Sequence, residues 1–171
     1  GGTGGDTGGA ASPEFVAHTD PAKGELVEGL YVDKGSAYIG LAPLGTIKKV
    51  NLTGGAVTDF GAIPPIPANG GFLLGIVVDA AGNAYVGFGG GPGVDVKNGV
   101  YKIPAAGGSV ADPFATDAAM NFPNGLLLDG TDLFVADSGG TIFKIAANGA
   151  VSPWITDPSL VGTDQSCMFA A

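Results

Sequence analysis

The chain has very little cysteine, histidine or positive charge. Cys167 is the single cysteine and His18 the single histidine among 171 residues, and seven Lys and Arg face sixteen Asp and Glu. One cysteine cannot build a disulfide framework or a cysteine-based zinc site, and we expect Cys167 to be a small buried hydrophobic residue. The net charge of −9 leaves no basic patch for a phosphate backbone, which argues against nucleic-acid binding.

Long apolar runs are also missing. No stretch reaches the roughly 18 residues that a membrane-spanning helix needs, and no basic segment precedes a short apolar one as in a signal peptide. We therefore expect no transmembrane segment. Glycine, in contrast, is abundant: the chain has 32 Gly, 45% hydrophobic residues and only 13% charged residues. This mixture favours many short strands joined by tight turns over helices.

The beginning of the chain differs from the rest. Residues 1–12 are Gly, Thr, Asp, Ala and Ser alone, and we assign residues 1–14 to a flexible Gly-rich linker that offers nothing to bury. Linkers of this kind commonly hold a domain away from a membrane or cell wall, although an interdomain spacer could have the same composition. The linker favours an extracytoplasmic location: secreted, periplasmic or surface-tethered.

One pattern occurs three times after the linker: an apolar strand ending in Asp, an aromatic second strand, a third strand carrying Lys and a shorter rim strand. The first strand starts at Gly29, Gly75 and Gly125, which stand 46 and 50 residues apart. This is the period of a four-stranded propeller blade and exceeds that of ankyrin or leucine-rich repeats. The predicted strands are 29–33, 37–40, 47–50 and 57–60, then 75–79, 84–87, 100–103 and 110–112, then 125–129, 133–136, 142–145 and 151–154.

The sequence therefore predicts an all-β fold, a β-propeller of four-stranded blades. We assign residues 15–171 to this domain, place the blades at about 26–62, 72–115 and 123–156, and expect 157–171 to approach a further blade. Propellers close with about 4 to 8 blades, so three blades cannot form a ring.

The two ends of a partial ring are expected to be exposed. Residues 15–17 are predicted to be either the rim strand of a preceding blade or the strand that latches the ring shut. An open blade face is apolar and prone to association. Self-association through unpaired blade edges is therefore expected, and a closed homodimer of two three-blade chains is one form of it.

The second copy carries an insertion at residues 89–98, between its second and third strands. It could be a mobile flap over a binding face, and we favour the simpler interpretation of a tolerated surface extension. Its glycines are not a phosphate-binding loop, because no Lys-Ser/Thr follows and no helix is predicted there.

The residue just before each predicted inner strand occupies an equivalent position at the mouth of the central channel. These residues are Glu28, Leu74 and Asn124. A carboxylate and an amide carbonyl that converge on an axis suit a hard divalent cation such as Ca²⁺ or Mg²⁺; Zn²⁺ is a further candidate. Glu28 could instead be an ordinary loop residue and Asn124 a turn residue. Glu28 and Asn124 are the predicted metal ligands, and no catalytic residue is assigned.

Other chemically suggestive residues are given structural roles. Asp137 and Ser138 have little support as part of a Ser-His-Asp triad, because the only histidine lies near the linker. Asp137 is predicted to accept hydrogen bonds in a Gly-rich turn. Asn51 begins a glycosylation sequon, which matters only in a eukaryotic secretory pathway. Five aromatic residues at strand positions are predicted to pack within the blades: Tyr31, Tyr38, Tyr85, Tyr101 and Trp154.

Residues 123–126 (Pro-Asn-Gly-Leu) and 133–138 (Leu-Phe-Val-Ala-Asp-Ser) resemble the signature of the senescence marker protein-30, gluconolactonase and luciferin-regenerating-enzyme family. The pair at 28–29 is similar to the Glu-Gly that opens the family's first blade. The resemblance covers about residues 25–155, and NHL-repeat, strictosidine-synthase-like and virginiamycin-lyase-like propellers share much of the pattern. It implies a six-bladed propeller with one divalent metal, held by Glu28, Asn124 and two ligands that would lie beyond Ala171.

The function implied by this resemblance is metal-dependent hydrolysis of a sugar lactone or related ester by the complete protein, with the small molecule bound in the central channel. The cation would polarise the lactone carbonyl while a carboxylate takes a proton from water. The chain alone is expected to be inactive. The alternative is a non-catalytic extracytoplasmic propeller, NHL-like, that binds or scaffolds a partner; the fold does not decide between the two.

Overall fold

The computed structural model describes residues 16–160, and in this range the chain is all-β. Its strands form three sheets in chain order, with short 3₁₀ turns and, within the described range, no α-helix. The predicted β-propeller class is confirmed. No helix between residues 16 and 160 is long and apolar enough to span a membrane. The predicted linker 1–14, Cys167 and most of the predicted approach segment lie outside the described residues.

Blade 1 is the first sheet. Its strands are β1 (Val27–Asp33), β2 (Ser36–Leu41), β3 (Thr46–Asn51) and β4 (Val57–Ala62), each antiparallel to the next. Asp33 pairs with Ser36, which leaves a two-residue hairpin turn of Lys34 and Gly35. Both turn residues have positive φ angles, 44° and 75°, as the tightest hairpin turns require.

Blade 2 contains β5 (Gly71–Val78), β6 (Ala84–Gly90) and β7 (Gly99–Ile103). The predicted fourth strand at 110–112 is wrong. Instead, β8 (Gly108–Ser109) pairs in parallel with β4 of blade 1, and Ala115 makes a single antiparallel bridge to Val100. The cause is the turn at Gly107 and Gly108, whose φ angles of 81° and 108° direct the chain onto the neighbouring rim.

Blade 3 has the predicted four strands: β9 (Pro123–Asp129), β10 (Asp132–Asp137), β11 (Thr141–Ile145) and β12 (Val151–Thr156). They pair antiparallel in chain order, with β9 innermost and β12 at the rim. A 3₁₀ turn at Pro158–Leu160 follows.

Blade 2 is packed on both faces, and this defines the core. One cluster joins it to blade 1 and includes Tyr38, Val86, Phe88 and Tyr101. The other joins it to blade 3 and includes Tyr85, Val100, Val135 and Phe143. The predicted packing roles of Tyr38, Tyr85 and Tyr101 are confirmed, since all three are buried, and Tyr31 is partly buried against both clusters.

Trp154 departs from the predicted packing role. Its ring meets Phe134 edge-on, with 4.8 Å between ring centroids, yet Trp154 remains 56% exposed. It lies on the face of blade 3 that points away from blade 2, and no residue of the described range covers that face.

A segment before blade 1, residues 16–26, lies against the face of blade 1 that points away from blade 2; we call it the strap. Ala17 packs against the buried cluster of Ala37, Ile39, Leu41 and Val50. At the end of the strap, the Ala42 N–H donates to the Leu26 carbonyl at 2.8 Å. The strap therefore covers the β2 and β3 part of this face.

The strap occupies a position that recurs in the other blades. A Cβ on Gly55 would lie 2.4 Å from the Val16 carbonyl oxygen. The equivalent turn glycines of blades 2 and 3 meet the rim segment of the blade before them: Gly107 meets the Phe60 carbonyl and Gly149 the Phe114 carbonyl. Val16 thus stands where a preceding rim segment would end, which favours the first of the two predicted roles of residues 15–17.

Candidate metal site at the channel mouth

Glu28 was predicted just before the first inner strand, and it lies inside that strand at a β-bulge. Val27 pairs with Leu41 and Gly29 with Gly40, which leaves Glu28 as an extra residue opposite β2. A bulge bends its strand and re-aims a side chain, and bulges are frequent beside active sites. The Glu28 side chain is exposed and makes no hydrogen bond or ion pair with residues 16–160.

Asn124 occupies the matching bulge of blade 3. Pro123 pairs with Asp137 and Gly125 with Ala136, so Asn124 is the extra residue of β9. Its side chain is exposed and, like that of Glu28, uncommitted within the described part of the chain. The two predicted ligands therefore occupy equivalent positions at the same end of their innermost strands.

Leu74 marks the same position in blade 2, where the pairing of β5 with β6 also shifts register, between Leu73 and Ile76. Leu74 is only 4% exposed. Since β5 packs against both β1 and β9, Leu74 lies between the positions of Glu28 and Asn124 along the arc of innermost strands. The structure brings the two oxygen donors to one end of the array with an apolar residue between them.

Glycines beside the bulges let neighbouring innermost strands approach closely. A Cβ on Gly29 would lie 2.3 Å from the Leu74 carbonyl oxygen, and a Cβ on Gly75 would lie 2.2 Å from the Asn124 carbonyl oxygen. No side chain larger than hydrogen fits such a contact without moving the backbone. The backbone of Asn124 is therefore held against β5. Sequence reasoning found the Glu-Gly and Asn-Gly pairs but missed both the bulges and this role of the glycines.

Asp137 anchors the segment that leads to Asn124. Its Oδ1 accepts from the Gly139 N–H at 2.8 Å and its Oδ2 from the Phe122 N–H at 2.7 Å. Burial raises the pKa of Asp137, although these hydrogen bonds oppose the shift. The predicted role of Asp137 as a turn acceptor is confirmed. His18 belongs to the strap on blade 1, two blades away, so the structure gives no support to a triad.

The insertion 89–98 is anchored at its second half. Val96 is 7% exposed and belongs to the core between blades 1 and 2. The Asn98 amide accepts from the Gly90 N–H at 2.7 Å and donates to the Gly90 carbonyl at 3.2 Å. The favoured interpretation of a surface extension is therefore incomplete, because this part of the insertion is packed into the blade.

A polar groove of about 320 Å³ lies between the insertion and the connection before β9. Asn98, Thr116, Asp117 and Asn121 are among its lining residues. Because β6 ends where β9 begins, at the end of the array that carries the bulges, the groove is near the Asn124 end of blade 3. It offers a small polar ligand hydrogen-bonding groups beside the predicted channel mouth.

The described residues alone offer a partial donor set. Between residues 16 and 160, no group of three or more His, Cys, Asp and Glu side chains could hold a metal ion. A hard cation such as Ca²⁺ takes six to eight oxygen ligands. Glu28 and Asn124 supply the right atom types, so they fit such a cation as two of its ligands, with further donors required.

No protein-family model and no curated protein sequence matches the chain. Solved β-propeller structures do. Streptogramin B lyase is 15% identical with a TM-score of 0.51, over 77% of this chain and 41% of the lyase. A calcium-binding protein, regucalcin from Agrobacterium tumefaciens str. C58, is 18% identical with a TM-score of 0.51, over 75% and 42%. The PQQ-bound aldose sugar dehydrogenase of Streptomyces coelicolor is 18% identical with a TM-score of 0.52, over 77% and 48%.

These similarities define the class of protein. The chain is a β-propeller, and it spans less than half the length of each of these three structures. At identities of 18% or less they establish the fold alone.

Proposed function

We propose that the chain supplies part of a divalent-metal site at the channel mouth of a propeller hydrolase, whose complete ring cleaves a sugar lactone or related ester. The observation that carries the proposal is the pair of matching bulges. Each presents one exposed, uncommitted oxygen donor, Glu28 or Asn124, at the same end of the innermost strands. The resemblance of residues 123–126 and 133–138 to the gluconolactonase-type signature supports the choice of reaction.

Glu28 and Asn124 would hold the cation. Of the two, Asn124 has a backbone that neighbouring strands hold in place. The Asn124 backbone is held between the Gly75 contact and the segment anchored by Asp137. When bound, the cation would supply Lewis-acid polarisation of the lactone carbonyl and stabilise the developing oxyanion. Asp137 is not the general base, because both of its carboxylate oxygens already accept backbone hydrogen bonds. Between residues 16 and 160 we assign no general base.

Calcium titration of the 171-residue chain by calorimetry tests this proposal. Ca²⁺ is the first probe because the similar regucalcin structure is described as calcium-binding. We expect Glu28→Gln and Asn124→Ala each to weaken Ca²⁺ binding roughly tenfold or more, since the first removes the negative charge of a ligand and the second removes a ligand. Asp129→Asn is the matched control, because Asp129 is exposed and lies at the opposite end of β9 from Asn124. Absence of binding, or equal binding by all four proteins, would sink the proposal.

The second candidate is a non-catalytic propeller that binds a small polar ligand. The observation that favours it is the polar groove beside the insertion, which does not depend on Glu28. A chain that binds no divalent ion, yet whose groove resonances of Asn98 and Asn121 shift when a sugar is added, would favour this candidate over the first.

A further inference from the structure

Blade 3 carries an apolar face that no residue in the range 16–160 covers. Leu127 is 64% exposed and Trp154 is 56% exposed. Together with Phe134, Ala136 and Ile142 they line an open groove of about 680 Å³. A contiguous exposed apolar surface of this kind indicates an interaction site.

The opposite end of the array exposes a complementary pair of side chains. Leu30 is 63% exposed and Val32 is 57% exposed. Counted from the bulge glycine, these positions correspond to Ile76 and Val78 in blade 2 and to Leu126 and Leu128 in blade 3.

The internal junctions show what these positions do. Ile76 and Val78 belong to the cluster in which Tyr31 of blade 1 packs. Leu126 and Leu128 pack with Val77 of blade 2 in the same way. Each pair covers the innermost strand of the blade before it.

Leu127 is the equivalent of Tyr31 and Val77, and it lacks such a cover. Leu30 and Val32 are equivalent to the two residues that cover the preceding innermost strand at each internal junction. In blade 1 no preceding innermost strand lies beneath them within residues 16–160. The two exposed surfaces are therefore the two halves of one more junction of the kind the molecule already contains twice.

The backbone repeats this complementarity. Gly29 and Gly75 each receive the carbonyl of the next blade's bulge residue, whereas a Cβ on Gly125 would meet only the Ala136 Cβ of its own blade, at 3.5 Å. A surface that continues the array must bring a bulge carbonyl to Gly125. The bulge residue of blade 1 is Glu28.

We propose that blade 3 of one copy packs against blade 1 of a second copy, and reciprocally, so that two chains close a two-fold symmetric ring of six blades. In a closed ring, both exposed faces of both chains are buried in the two junctions. It also places Glu28 of one copy next to Asn124 of the other, without an intervening leucine. The mouth of the channel then carries two Glu28 and two Asn124, twice the donor set of one chain.

The strap opposes this closure. In a continued array, β12 of one copy would bring its rim to Gly55 of the other, where the Val16 carbonyl now lies. The strap must leave this position for the ring to close fully. A variant that loosens the strap, Ala17→Asp, should therefore associate more tightly than the parent chain, because Ala17 packs on the buried cluster of blade 1.

Light scattering coupled to size exclusion tests the association directly. The chain is expected to give a mass of twice 16.7 kDa. Leu127→Asp and Leu30→Lys should each weaken dimerisation roughly tenfold or more. Phe72→Asp is the matched control, because Phe72 is also an exposed apolar residue but lies in β5 of blade 2, which is packed on both faces. All three positions are exposed, so these variants should fold.

Mixing the two interface variants distinguishes this ring from other dimers. One junction of the mixed dimer is unaltered and the other places Asp opposite Lys, so mixing should restore dimerisation. Dimers that pair blade 3 with blade 3 would not be restored, and that result would overturn the proposal. A monomer at all concentrations, or a dimer that loses as much from Phe72→Asp as from Leu127→Asp, would overturn it too.

Calcium stoichiometry links the ring to the metal site, and only this step rests on the proposed function. We expect one Ca²⁺ per two chains, and loss of that binding in the monomeric variants. A restored dimer that binds no Ca²⁺ would contradict the proposed function and leave the ring standing. Ca²⁺ binding of unchanged strength by monomeric variants would leave the proposed function standing and overturn the shared site.

Discussion

Single side chains hold the turns between strands, and Asp79 is the clearest case. Its Oδ1 accepts from the Asn83 N–H at 2.8 Å, and its Oδ2 accepts from the Asn83 amide at 2.8 Å and from the Tyr85 hydroxyl at 3.3 Å. Burial acts to raise the pKa of Asp79, but the Asn83 hydrogen bonds and the charge of Lys102 outweigh it. The pKa of Asp79 consequently lies below its ordinary value of 3.8.

This lowered pKa predicts a pH dependence for Asp79→Asn. At pH 7 the variant should lose about 1–2 kcal/mol of unfolding free energy, because an amide cannot accept at both positions. The carboxylate's contribution is present above its unfolded pKa near 4 and is lost as pH falls through the lower folded pKa. Urea unfolding should give the same difference in unfolding free energy between the two proteins from pH 7 down to about pH 4. This difference should shrink between about pH 4 and pH 3. A gap that widens in acid would contradict this account.

Glycine at position 75 is required by a neighbour and not by its own backbone angles. Its φ is not positive, but the Asn124 carbonyl oxygen would be 2.2 Å from a Cβ. Gly75→Ala should therefore cost about 1–3 kcal/mol of stability as an overpacked site. Gly91→Ala is the matched control, since a Cβ there has no neighbour within 4 Å. Equal thermal stability of the two variants would show that the innermost strands are not in this close contact.

At the scale of elements, the Asn98 amide is one of the groups that anchor the insertion in blade 2. Asn98→Ala removes both hydrogen bonds to Gly90 and should cost about 1–3 kcal/mol, because the Gly90 groups are left partly buried without these partners. Asn148→Ala, which loses one hydrogen bond in an exposed turn, should cost less. Urea unfolding measures both, and hydrogen exchange of the Val96 amide should accelerate in the first variant only. Equal losses of stability in the two variants would show that the Asn98 hydrogen bonds do not anchor the insertion.

The period of the repeat was enough to predict the elements that pair with sequence neighbours. The strands of blades 1 and 3 follow from apolar alternation and turn glycines, which act locally. The fourth strand of blade 2 could not be predicted in this way. After the Gly107 turn, Gly108 and Ser109 pair with β4, which lies nearly fifty residues earlier in the chain. Contacts between blades decide this strand, and they leave no local pattern.

The equivalence of the two predicted ligand positions also follows from the period of the repeat. Repeat alignment placed Glu28 and Asn124 at equivalent positions, and the structure keeps them equivalent. The alignment could not show that the innermost strands start earlier and bulge there, because a bulge is defined by the register of the partner strand. The place of Val16 beside Gly55 is likewise a contact with no signal in the local sequence.

At the scale of the whole molecule, the three blades of residues 16–160 form an arc in which only the middle blade packs against a neighbouring blade on both faces. Blade 2 has a packed core on either side, whereas blade 3 has an exposed apolar face and blade 1 exposes the β1 part of its outward face. Trp154, the single tryptophan, lies on the open face of blade 3, so its fluorescence reports on whatever covers that face. Each blade likewise contributes one bulge residue at the same end of its innermost strand.

The position of a bound metal tests the central claim most directly. Crystals of the chain grown with Mn²⁺ in place of Ca²⁺ should give an anomalous difference peak at the bulge end of the innermost strands, within coordinating distance of Glu28 and of Asn124. Crystals of Glu28→Gln should lose that peak and keep the fold. A peak elsewhere, for example at Asp79 at the other end of the strands, or a peak that survives Glu28→Gln, would contradict the account.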